Sequence, residues 1–70
     1  MQNDGELEMV MRHVKKGREH IARQHEIIAD FKDKGFPTGE AEEFLATLLE
    51  LQRQHEEHLA HVRKKLGLEE

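Results

Sequence analysis

Two runs of apolar and small residues with the same spacing fill most of this chain, and that repetition constrains its fold more than any other feature. Leu7, Val10, Val14, Gly17, Ile21, Gln24, Ile28 and Phe31 follow one another at steps of three and four. Ala41, Leu45, Leu48, Gln52, His55, Leu59, Val62 and Leu66 do the same. Such steps return side chains to one face of an α-helix, so each run reads as the buried stripe of a helix. Between them lies Gly35-Phe36-Pro37-Thr38-Gly39. The pattern predicts an all-α fold: an antiparallel two-helix hairpin with a coiled-coil-like seam. The first helix is expected over about 4–34, the turn at 35–38 and the second helix over about 39–66, with 1–70 forming a single domain.

The local signals agree with this plan. Asn3 or Asp4 is placed to cap the first helix, with Glu6 three residues after Asn3 in the capping-box position. Lys32 and Lys34 suit the negative end of that helix, and Gly35 suits a left-handed C-cap. Pro37 holds Phe36 extended and stops the helix. Thr38 is the expected second N-cap, followed by Glu40, Glu42 and Glu43. Lys64, Lys65 and Gly67 close the second helix.

An antiparallel register can be tested residue by residue. It sets Leu7 against Leu66, Val10 against Val62, Val14 against Leu59 and Gly17 against His55. Further along it sets Ile21 against Gln52, Gln24 against Leu48, Ile28 against Leu45 and Phe31 against Ala41. Large meets small at Phe31–Ala41 and at Gly17–His55, as close packing requires. Gly17, in mid-helix, costs about 1 kcal/mol relative to Ala. The expected reason is space for His55 or for close helix approach, with a kink as the alternative. Gln24 and Gln52 on the seam are expected to fix register and oligomeric state.

At 70 residues the chain buries a small core, and it has no cysteine to staple it. Self-association is the remaining route to stability that the flanks support. On one flank, Met11, Arg18, His25 and Lys32 face Arg63, Glu56, Leu49 and Glu42, giving two cross-helix ion pairs, Arg18–Glu56 and Lys32–Glu42. On the other, His13, His20 and Ile27 face His58, Leu51 and Phe44. Ile27, Phe44 and Leu51 form an apolar patch beyond the two-helix seam. The interface of a homodimeric four-helix bundle is therefore expected at Ile27, Phe44, Leu51, His20, His13 and His58.

Composition excludes several other classes. A net charge of −4 and a pI near 5.8 argue against binding nucleic acid. No run of about 18 apolar residues predicts a membrane span. The polar start, with no signal-peptide pattern, and the lack of cysteine lead to an expected cytoplasmic location. There is no serine or cysteine nucleophile and no glycine-rich phosphate loop. The carboxylate pairs Glu42/Glu43 and Glu56/Glu57 fall on solvated faces, so no enzymatic activity and no cofactor is expected.

Six histidines remain to be explained. His55 and His58 are three apart on one helix, and the expected register sets His13 opposite His58. The three together are the candidate metal ligands, imidazole being a good ligand for zinc and its neighbours. No H-E-x-x-H motif is present, and no Glu-x-x-His pair recurs on both helices as a di-metal bundle requires. A second use is titration: histidine changes charge near pH 6.5, so His13 against His58 at an interface would weaken it in acid.

The run from His20 to Ile28, with Gly17, Ile21, Gln24 and Ile28, then Gly35, Thr38, Ala41-Glu42-Glu43-Phe44-Leu45 and the late His55 and His58, resembles a family of short, mostly proteobacterial proteins of unknown function. The resemblance implies a helical hairpin and a bacterial source but no activity. In architecture alone the chain also looks like the dimeric Rop-type hairpin that binds RNA. The function expected from all this is a small non-enzymatic module that self-associates and docks or regulates another protein. The alternatives are a metal- or pH-responsive bundle and an RNA-binding hairpin.

Overall fold

The computed structural model describes residues 2–68, with side chains from Gly5 onward. It is a hairpin of two helices, α1 (Gln2–Lys34) and α2 (Gly39–Lys65), packed against each other along their length. At about 1.5 Å of rise per residue, a 33-residue helix spans the 50 Å long axis. No strand occurs among the described residues.

Helix α1 begins at Gln2, so the backbones of Asn3 and Asp4 lie inside the first turn rather than at the cap. Acidic residues are favourable there too, because the unsatisfied N–H groups of the first turn carry partial positive charge. The expected cap contacts of Asn3 and Asp4 involve side chains outside those described.

Both helices end alike. Gly35 takes φ +75°, its N–H donates to the Lys32 carbonyl at 3.2 Å, and the Phe36 N–H reaches back to the Phe31 carbonyl at 2.9 Å. This is a Schellman closure, and its hydrophobic contact is the edge-on packing of Phe36 on Phe31, with ring centroids 5.8 Å apart. Gly67, also at φ +75°, repeats the closure, with its N–H on the Lys64 carbonyl and the Leu68 N–H on that of Arg63.

Thr38 does occupy the N-cap of α2, but its hydroxyl caps no backbone N–H. It donates to the Glu42 carboxylate at 2.9 Å instead. An ionised acceptor one turn on outcompetes a neutral cap bond. The same contact engages Glu42, and the expected Lys32–Glu42 ion pair does not form among the described residues. Arg18–Glu56 does form, at 3.8 Å.

Every seam residue of both runs is buried or half-buried, and beyond them only Glu6, Ile27 and Thr38 escape full exposure among the described side chains. Val10, Val14, Ile28 and Val62 are the buried apolar residues. Two glutamines, Gln24 and Gln52, are buried with them. Each reaches across the seam to a backbone carbonyl of the other helix: Gln24 Nε2 donates to Ala41 at 2.9 Å, and Gln52 Nε2 to Val14 at 2.9 Å.

Gly17 is explained by the second of these bonds. The expected partner, His55, is not what lies against it: a Cβ at Gly17 would collide with the side-chain amide of Gln52. The amide is long enough to reach the Val14 carbonyl, and only a bare Cα lets it lie flat across the helix. Gln52 Nε2 also donates to Glu56 at 3.2 Å, and Glu56 pairs with Arg18. One buried amide thus ties α2 to α1 at the core and again at the surface.

Gly17→Ala should therefore destabilise the hairpin despite the better helix propensity of Ala. The gain is about 0.5–1 kcal/mol, while displacing Gln52 breaks a buried bond whose loss costs about 1–3 kcal/mol. Gly5→Ala, in open space on α1, should stabilise by less than about 1 kcal/mol. Urea midpoints measure both. A more stable Gly17→Ala variant would show that the Gln52 amide is not held there.

Candidate functional site

The seam positions turn one flank of the hairpin into a shallow, mostly apolar groove. A depression of about 260 Å³ is lined by His13, Lys16, Gly17 and His20 from α1 and by Leu48, Leu51, Gln52 and His55 from α2. A second adjoins it, sharing His20 and Leu48 and adding Arg23, Gln24, Ile27 and Phe44. Phe44 is 54% and Leu51 45% exposed, while Ile27 is half-buried. Five of the six residues expected to form an interface, His13, His20, Ile27, Phe44 and Leu51, thus line one continuous surface.

His58 does not join them. Its Nε2 lies 3.6 Å from Glu6 Oε2, and Lys65 approaches the same carboxylate at 3.3 Å. Glu6 occupies the flank position one heptad before His13, and its carboxylate offers His58 a stronger acceptor than a facing imidazole does. The expected His13–His58 pairing is replaced by His13–His55, with ring centroids 5.5 Å apart and planes tilted by 39°. The candidate metal trio of His13, His55 and His58 is therefore split: two rings meet and the third turns to a carboxylate. Among the described residues no three His, Cys, Asp or Glu side chains are grouped to hold an ion.

Two polar atoms in this region, Gln52 Oε1 and His55 Nδ1, are buried and have no hydrogen-bond partner among the described residues. Periodicity placed Gln52 and His55 on the seam without showing that both also edge the groove. Leu48 was placed on the seam in the same way, whereas Lys16 was missed, because it borders the flank without belonging to its expected face. A wider helical arc, taking each flank column with its neighbour, would have found it.

The opposite flank is different in kind. Leu49 lies there beside Arg18, Arg53 and Glu56. Further toward the helix ends, a depression is lined by Met11, Arg12, Val14, Lys15, Arg18, Leu59 and Arg63, four of them cationic and none acidic. This local basic patch, with Arg18 paired to Glu56 at its edge, is hidden in the net negative charge of the whole chain.

On the exposed surface of α2, hydrogen bonds from Arg53 and then Gln54, with the attraction of the Arg53 charge, hold the Glu50 carboxyl below its ordinary value. A carboxyl depressed by folding contributes stability above its unfolded-state value, and that stability fades as pH falls through the folded value. The pair is fully exposed, so its contribution is small.

No family model, curated protein or solved structure matches the chain. Among the described residues no helix is long and apolar enough to cross a membrane. The groove and its residues are therefore the basis for a functional reading.

An NMR titration should place the Glu50 midpoint below 4.5, and Arg53→Ala should raise it. A midpoint indifferent to Arg53→Ala would remove that ion pair as the cause.

Proposed function

We propose that this protein is a small non-enzymatic interaction module that self-associates through its groove-bearing flank, as a homodimeric four-helix bundle, and presents the assembled bundle to a protein partner. The observation that carries this reading is the continuous surface of Ile27, Phe44, Leu48 and Leu51, set beside a core of four buried apolar residues among the described ones. A two-helix seam this small leaves much of its apolar side chain area in water, and covering it with a second copy is the physical remedy. The other flank is a poorer interface, because charged side chains surround Leu49 and Met11. A soluble, cytoplasmic setting fits the reading and is part of the proposal.

Leu51→Glu, which places a charge at the centre of the groove, should turn the dimer into a weakly folded monomer. Light scattering gives the mass and thermal melting the stability. A variant that keeps both its mass and its melting temperature would refute the interface.

One observation favours a second reading, an RNA-binding hairpin of the Rop type: the depression with four cations and no acidic lining residue. If it contacts phosphates, binding to a labelled RNA hairpin should fall steeply with salt, and Arg12→Ala with Arg63→Ala should flatten the slope. Salt-insensitive or absent binding leaves that patch as a solubilising surface.

A further inference from the structure

We propose that His13 and His55 are one half of a divalent transition-metal site, completed by the same two residues of a second copy. The inference rests on the self-association reading and adds a ligand and a geometry to it. It begins from the ring pair. Two imidazoles bound to one tetrahedral ion, with metal–nitrogen bonds of about 2.0–2.1 Å, hold their centroids about 5 Å apart. The His13 and His55 centroids stand 5.5 Å apart, on different helices, with planes tilted rather than stacked. A common ion between them would take one nitrogen of each ring.

The second observation is the pair of orphaned buried atoms beside the rings. Gln52 Oε1 can only accept, and His55 Nδ1 lies three residues further along the same helix. The two atoms are not bonded to each other. Burial of His55 Nδ1 leaves Nε2 as the ring nitrogen available to a metal.

The third observation is placement. Both rings line the groove proposed as the interface, and His20 lines the same depression. One chain gathers too few ligands for a stable site. A two-fold axis running along the hairpin, through this face, sets each pair against its copy and supplies four imidazoles. All-nitrogen donors of this sort select zinc, nickel or copper over magnesium or calcium. In this arrangement both turns lie at the same end of the bundle.

The test is calorimetric titration of the chelator-treated protein with zinc chloride and with nickel chloride, paired with light scattering before and after. The proposal expects saturable binding at one ion per two chains and a raised melting temperature. His13→Ala, an exposed position on α1, should weaken binding at least tenfold, while His61→Ala, outside the groove, should leave it unchanged. A dimer that binds no ion, binds one per chain, or binds equally well as His13→Ala overturns the metal site and leaves self-association standing. A monomer both with and without metal overturns both.

Discussion

A single buried amide sets the relation between the two helices. Gln52 donates to the Val14 carbonyl across the seam and lies against the bare Cα of Gly17. Gln24 makes the reverse reach to Ala41. Leucine-type contacts tolerate a helix sliding past its neighbour, since one apolar side chain replaces another. An amide does not, because a slide of one turn buries its donors without acceptors, at about 1–3 kcal/mol for each group left unpaired. The two glutamines convert a generic apolar seam into one with a preferred register, at some cost in apolar burial. The rest of the surface follows from that register, including which histidines meet and which flank gathers the exposed apolar residues.

The periodicity of the chain was enough to reach the hairpin, its turn and the composition of its seam. Leu7 through Phe31 and Ala41 through Leu66 were read as inward-facing, and the structure leaves none of them exposed. The glycine closures were equally legible, because a left-handed residue followed by a hydrophobic one has a fixed geometry. What stayed hidden was the choice of partner where more than one group competes. Thr38 prefers the Glu42 carboxylate to a backbone N–H, His58 prefers Glu6 to His13, and Gly17 receives Gln52 rather than His55. Each outcome turns on side-chain length and on an acceptor outside the pair, and a register counts neither. The basic patch at Arg12, Lys15, Arg18 and Arg63 was hidden differently, since it assembles from two distant segments of an acidic chain.

The groove-bearing flank combines two kinds of surface that proteins usually separate. Near the turn it is apolar, through Ile27, Phe44 and Leu48; toward the open end it is lined by imidazoles. In the proposed assembly the apolar part would contribute association energy with little directionality, and the nitrogen ligands direction. Affinity and orientation would then be set by different residues and could vary independently by substitution.

The four-residue link between Lys34 and Gly39 also shapes how the chain folds. Contacts beside the turn, such as that of Gln24 with Ala41, close short loops, while Glu6 and Lys65 enclose nearly the whole chain. Loop-closure entropy rises with the length enclosed, so pairing is cheapest at the turn and proceeds outward from it. Topologies dominated by local helical contacts fold in microseconds to milliseconds. By loop closure alone the zipper would run from Gly35 toward the free ends. The most deeply buried side chains, Val10 and Val62, lie near those ends, so the last contacts to close are also the ones that lock the hairpin.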